Sequence, residues 1–300
     1  MSPPPSLLVP IAVCTLGILL LTGMDAAMKG LVLAVGVYNA MLWRTVAVAT
    51  ASGAIWASGK RAWPRGSVLR LHIWRGAVIA LVASCFFWGL GRLPLAVGIA
   101  LSFIAPLIAL YLAAVLLGEK VGRTAIWGSL AGLVGVGVIL LGQLNNAAFR
   151  EDAWLGVIAI LISAVFYAYN IILARQQAQV AGPWEIAFFQ NLTLLVLLGS
   201  LAPWLAADLP ADLWPLLLAA GALNMFGQVL LTWSFARAEA QYLIPIEYTA
   251  FVWAVLLGWA IFGESVTWST VCGAVLIVGG CLLVALKRPR LNEPVESVSV

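Results

Sequence analysis

The chain is 300 residues long, 63% apolar and only 9% charged, with a mean hydropathy of +1.05. Soluble domains carry about 25% charged residues, so this composition excludes a soluble fold, a disordered chain, a coiled coil and a disulfide-stapled secreted domain. The net charge of +4 is too modest to imply nucleic acid as a partner. Fourteen Trp, 28 Gly and 14 Pro suit a multi-spanning membrane protein, because Gly and Pro are tolerated inside membrane helices and Trp gathers at the interfaces.

A helix that crosses a bilayer needs about 20 mostly apolar residues. In chain order, the stretches 7–28, 36–58 and 72–91 are apolar, each with an ionisable residue inside or near an end. Uncharged runs follow from Arg92 to Glu119, from Arg123 to Arg150 and from Asp152 to Arg175. The stretch 183–206, the run from Asp212 to Arg237, the stretch 241–262 and the run from Glu264 to Lys287 complete the series. The pattern predicts an all-α membrane protein of ten spans with short connections and no soluble domain. The short alternating segments of a membrane barrel are missing. Residues 11–22 resemble the apolar part of a signal peptide, but no Lys or Arg precedes Asp25 and no clean A-x-A site follows, so cleavage is not expected.

Lys and Arg mark cytoplasmic loops. With the N-terminus inside, the inner segments hold Lys60, Arg61, Arg65, Arg70, Lys120, Arg123, Arg175, Arg237, Lys287, Arg288 and Arg290, and the outer loops only Lys29, Arg92 and Arg150. Ten spans put both basic clusters on the cytoplasmic side of a bacterial inner membrane, with both termini there. The clusters read as solvated topology determinants, and lipid head groups are the partners they would meet.

A shift of 145 residues matches the sequence to itself without a gap from about 88 to 140. Trp88 falls on Trp233, Arg92 on Arg237, Gly118-Glu119 on Gly263-Glu264, Gly128 on Gly273 and Gly135 on Gly280. The division is a first five-helix repeat over 1–145, a second over 146–290 and a tail over 291–300. Five helices per half invert the second half in the membrane. Such inverted repeats are typical of secondary transporters, whose substrate site lies near the midplane between the halves.

The stretches GEKVGRTAIWGSLAGLVGVGVIL (118–140) and GESVTWSTVCGAVLIVGGCLL (263–283) resemble the two copies of a motif of the drug/metabolite transporter superfamily. There the motif joins the fourth span to the fifth and the ninth to the tenth. The resemblance covers nearly the whole chain. It implies export of amino acids or small metabolites, and aromatic amino-acid exporters of the YddG type are similar in length and organisation. The small multidrug type relies on a glutamate in mid-span one. Here that place reads Leu16-Gly17-Ile18-Leu19, which argues against its mechanism.

Ionisable residues inside spans are costly and usually face a cavity or a partner. Arg44 has two readings: a guanidinium for a substrate carboxylate, or a salt bridge to Asp25. Glu247 would meet a substrate amine or carry a proton, or else pair with Arg75 or Arg237. Asp25 and Glu247 are the proton-coupling candidates. Arg75 and Glu185 lie near the cytoplasmic boundary and are expected to snorkel. Ser163, Tyr167 and Asn170 share one face of span six, and Asn224 and Gln228 one face of span eight. Together with Gln190, Asn191, Asn39, Ser84, Trp88 and Ser102 they suggest a polar cavity, although each alone is as well explained by interhelical hydrogen bonding. Trp88, Tyr167, Tyr248 and Trp253 would supply its apolar walls.

Pro106 and Pro245 interrupt spans four and nine as hinges or passive kinks. Gly128 and Gly132 form a GxxxG in span five, read as close helix packing, with a homodimer as the other reading beside a monomer. Most Trp, including Trp56, Trp63, Trp154, Trp184, Trp204, Trp214 and Trp268, are expected to anchor at interfaces. Cys14, Cys85, Cys272 and Cys281 lie in spans, so neither a disulfide nor a thiolate metal site is expected. The lone His72, with no HExxH, no P-loop and no dinucleotide fingerprint, leaves no cofactor and no enzyme to expect. The expectation is a secondary transporter or facilitator that exports amino acids or similar small molecules by alternating access. A drug or nucleotide-sugar exporter of the same fold is the first alternative. A membrane enzyme, a lipid scramblase and a non-transporting scaffold are the others.

Overall fold

The computed structural model describes residues 8–59, 63–117, 123–144, 152–235, 237, 243 and 246–286. All the longer elements among them are helices: α1 (Leu8–Ser58), α2 (Gly66–Leu90), α3 (Leu95–Ser102), α4 (Ala105–Leu117), α5 (Arg123–Leu144), α6 (Ala153–Ala178), α7 (Pro183–Ser200), α8 (Ala202–Leu205), α9 (Trp214–Phe235), α10 (Ala250–Phe262) and α11 (Trp268–Leu286). Four helical stretches, in α1, α2, α6 and α9, are long and apolar enough to cross a membrane, and shorter apolar helices fill the rest.

The first two predicted spans run together as α1, 51 residues in which only Gly36 leaves helical geometry, at φ 77 and ψ 163. A straight helix of that length would measure about 76 Å at 1.5 Å per residue, more than twice the hydrocarbon thickness. The chain folds back at Gly36 instead. Asp25 and Arg44, 19 residues apart, lie within electrostatic reach of one another, whereas a straight helix would separate them by about 28 Å. A Cβ at this backbone conformation is strained. Gly36→Ala is therefore expected to cost about 1–3 kcal/mol, read as a lower unfolding midpoint of the purified protein in detergent.

The predicted fourth span is broken. α3 ends at Ser102, two residues turn at Phe103 and Ile104, and α4 restarts with Pro106 in its first turn. Proline has no N–H to lose there and its fixed φ suits a helix start. Pro245 lies outside the described residues.

In hydrocarbon no hydrophobic force draws helices together, so close contact between small residues does it. Gly17 of α1 lies against Gly227 of α9, and Gly89 of α2 against Gly156 of α6. The tightest seam joins α5 to α11: a Cβ on Gly135 would meet the Gly273 carbonyl oxygen at 2.6 Å, and one on Gly280 the Gly128 oxygen at 2.3 Å. The GxxxG of span five is thus buried against α11 of the same chain. The second half of α1 packs with α2 on α7, and α10 packs on α3 and α1. Met28, Leu31, Leu90, Leu95, Leu101, Ile139 and Ile160 form the heart of the core, all fully buried.

Candidate functional site

Two ends of the bundle serve as landmarks: the end where α1 turns at Gly36, and the opposite end, where Trp63 leads into α2. At the Gly36 end the largest surprise is Lys29. The sequence placed it in an exposed loop. It lies inside α1 at 4% exposure, its ammonium ion-paired with Glu264 and donating to the Leu93 carbonyl. The local fold explains the Gly-Glu pair. Gly263, at φ 64, ends α10 in a left-handed turn that only glycine takes readily. The Glu264 carboxylate then accepts from the Leu95 N–H at 2.7 Å, capping the start of α3, where a helix favours negative charge. Gly258 leaves the room, since a Cβ there would meet Glu264 Oε2 at 2.7 Å.

Deeper on the same hairpin, Asp25 and Arg44 attract one another. The Arg44 guanidinium lies over the Phe87 ring at 5.3 Å from its centroid, a cation–π arrangement. Both residues remain half-buried rather than sealed. They make no direct salt bridge among the described contacts, so both readings of Arg44 keep their basis: Asp25 is near, and the guanidinium has donors to spare.

Further towards the Trp63 end, Glu247 lies within electrostatic reach of Cys14, Tyr167 and Tyr248, and Tyr167 of Arg75. Tyr167 and Glu247 are exposed although they occupy mid-span positions. Tyr248 meets Phe103 edge to face, with centroids 5.2 Å apart, and the Cys281 thiol donates to the Phe103 carbonyl freed by the helix break, at 3.4 Å. Trp253 packs beside Cys14, Ile18 and Leu243, and its indole N–H has no acceptor among the described residues.

Other expected cavity residues are committed to the frame. Asn39 accepts from the Ala207 N–H at 2.9 Å and donates to Val35. The Ser84 hydroxyl contacts Met41 Sδ at 3.6 Å, and Ser102 donates to Ile99 within α3. Of the polar face on span six, Ser163 donates to the Val82 carbonyl at 2.9 Å and Asn170 accepts from Arg75 Nε at 2.9 Å, both across to α2. Only Tyr167 of the three is exposed. Gln190 and Asn224 are half-buried, Gln228 is exposed, and Asn191 bonds the Ala187 carbonyl in its own helix.

Arg75 and Glu185 do not snorkel. Arg75 donates to Asn170 and to Gln177 Oε1, Gln177 Nε2 lies 2.6 Å from His72 Nδ1, and His72 Nε2 lies 3.0 Å from Glu185 Oε1. His72 is fully buried and stacks on Phe189 at 4.9 Å. Trp56, expected at an interface, is only 9% exposed and stacks on Phe188 at 5.1 Å. Trp204 and Trp268, at 76% and 83% exposure, do face outward. The sequence offered no signal that separates a buried Lys29 from a loop lysine, and none for its partner 235 residues away.

Trp88 faces a depression at the Gly36 end, of about 550 Å³, lined by Gly36, Tyr38, Arg92 and Asp152. The Arg92 guanidinium lies 3.4 Å from the Trp88 ring centroid and its Nη1 donates to the Trp88 carbonyl at 3.2 Å. Arg237 does the same on Trp233, at 4.1 Å and 3.2 Å. The residues that the 145-residue offset superposes thus form the same clamp twice. No group of His, Cys, Asp and Glu fit to hold a metal occurs among the described residues.

A bundle of apolar helices with paired charges inside it defines an integral membrane protein. The chain belongs to the EamA-like transporter family, whose model matches it twice, over residues 8–141 and 154–286. It is 30% identical to the pseudopaline exporter CntI of Pseudomonas aeruginosa (strain UCBPP-PA14) over 218 residues, 72% of this chain and 74% of that one. It is 25% identical to a riboflavin transporter of Brucella anthropi over 228 residues, 73% and 77% of the two chains. A crystal structure at 20% identity superposes with a TM-score of 0.61 over 93% of this chain and 98% of the other, which shows a shared fold.

Proposed function

We propose that this transporter exports amino acids, aromatic or neutral, or closely similar small zwitterions across the bacterial inner membrane. A site between two inverted five-helix halves, 1–145 and 146–290, would open alternately to each side, with both termini in the cytoplasm. The observation that carries the cargo reading is the Asp25–Arg44 pair: opposite charges deep in the bundle, half-buried, beside the Phe87 ring. A zwitterion offers each its complement, and guanidinium binds carboxylate through two parallel hydrogen bonds. The Trp253 indole N–H, Glu247 and Tyr167 supply further polar contacts, and Phe103 with Tyr248 an aromatic wall. Asp25 and Glu247 stand as proton-coupling groups.

Several observations support two halves: the twofold family match, the duplicated Trp–Arg clamp, and helix pairs that exchange partners under the offset, with α1 on α9 answering α6 on α2. The similarity to a pseudopaline exporter supports export, and that to riboflavin transporters supports a small-molecule cargo. The latter relatives also favour a second reading, a flat heterocyclic cargo against the Phe103–Tyr248 wall.

The test is reconstitution into liposomes with a panel of radiolabelled phenylalanine, tryptophan, leucine, glutamate and riboflavin. Amino-acid efflux is expected, and Arg44→Ala is expected to lower it by about tenfold or more, the equivalent of one charge-assisted hydrogen bond. If no amino acid moves and Arg44→Ala leaves any other flux unchanged, the cargo reading fails.

A further inference from the structure

The cluster between α2, α6 and α7 at the Trp63 end has an internal logic of donors and acceptors. Arginine donates only, so the Gln177 atom facing Arg75 is its amide oxygen. The amide NH₂ therefore faces His72 Nδ1, and Nδ1 must accept. The imidazole then carries its single hydrogen on Nε2, where the Glu185 carboxylate receives it at 3.0 Å. Each of the four contacts in the chain Glu185–His72–Gln177–Arg75–Asn170 joins one donor to one acceptor in this arrangement. No place is left for a second imidazole proton.

The geometry points to His72 as a proton-binding switch whose occupancy is reported at the cargo site by Arg75. A proton arriving at Nδ1 meets the Gln177 NH₂. The amide must turn over, giving its oxygen to His72 Nδ1–H and its NH₂ to a guanidinium that cannot accept. Arg75 loses that partner while Asn170 keeps its Nε. The freed Nη1 lies in the field of Tyr167, which also feels Glu247. Among the described residues, the groups that face the imidazole are Glu185 and the Phe189 ring from α7, Gln177 from α6 and Arg75 from its own helix, with Trp56 of α1 behind Phe189. The Glu185 carboxylate, 18% exposed, is the way in for a proton from water. The inference rests on the transporter reading for its purpose, but not on which molecule is carried.

His72 is the chain's single histidine, so nitrogen NMR of the full-length protein, made without a histidine tag and labelled in its imidazole, reads this group alone. The expected spectrum at alkaline pH is the Nε2–H tautomer. Gln177→Glu supplies an acceptor to Arg75 and to a protonated imidazole at once, so it is expected to raise the proton affinity of His72 by about tenfold or more. His72→Asn keeps an acceptor near Nδ1 and should change the pH profile of efflux between pH 5 and 8, leaving only what Asp25 and Glu247 contribute. An Nδ1–H tautomer, or an unchanged titration in Gln177→Glu, overturns the switch. So does efflux of whichever panel compound moves that keeps its pH profile in His72→Asn. Failure of every amino acid to move sinks the cargo reading while the spectra still decide this one.

Discussion

Lys29→Met is expected to lower stability by about 3–5 kcal/mol, because it leaves the Glu264 carboxylate at 15% exposure with its counter-charge gone. Two side chains from opposite ends of the sequence hold α1, the turn before α3 and the end of α10 together at this point, through one ion pair and bonds to Leu93 and Leu95. Glu264→Gln should cost a comparable amount, since the Leu95 N–H and the ammonium each use their own carboxylate oxygen, the amide offers only one, and the buried ammonium loses its counter-charge. The double variant Lys29→Met/Glu264→Gln should recover part of the loss, because it removes both charges from the interior. Thermal unfolding of the four proteins in one detergent closes the cycle. Additive losses from the two single variants would show that the pair does not couple, contrary to its geometry.

Gly280→Val is expected to split the α5–α11 seam. Even the first carbon of the new side chain would lie 2.3 Å from the Gly128 carbonyl oxygen, with backbone atoms of Gly128 and Gly132 next at 3.3 Å. Backbone cannot swing aside as a side chain can, so the helices must part. Overpacking of this kind costs about 1–3 kcal/mol, and more where backbone must shift. Gly279→Val is the matched control: one residue along the same helix, a Cβ there meets nothing within 4 Å among the described residues. Yield of folded protein and unfolding midpoint should fall for the first and hold for the second. Equal effects would place the cause in helix propensity rather than in the seam.

Most of the architecture was legible because membrane helices write themselves as apolar runs. The positions at which charges interrupt those runs matched the helix ends to within a few residues for α6, α9 and α11. What was not legible came from contacts between distant residues. Lys29 sits at the end of an apolar run, where a solvated loop and a buried ion pair look alike in one dimension. Arg75 and Glu185 lay near a boundary, where long side chains ordinarily reach for water. Their partners, His72, Gln177 and Asn170, carried no spacing that tied them together. The polar face of span six was a sound deduction from helical periodicity, yet the period cannot say which neighbour the face meets. Ser163 and Asn170 met α2. The helix break at Phe103 was harder still, since Pro106 is tolerated three residues beyond it as part of a new first turn.

The two Trp–Arg clamps have a consequence for direction. α2 and α9 run oppositely, so the stack of Arg92 on Trp88 and that of Arg237 on Trp233 cap opposite ends of the bundle with the same chemistry. Neither end is labelled by them. A carrier that moves cargo one way must record the difference between its two faces in residues that the 145-residue offset does not copy. Lys29 falls on Ala174, Arg44 on Phe189 and His72 on Leu217. The offset thus sets Lys29, Arg44 and His72 against apolar side chains, while Glu264, Glu185 and Gln177, which hold Lys29 and His72, come from the later part of the chain.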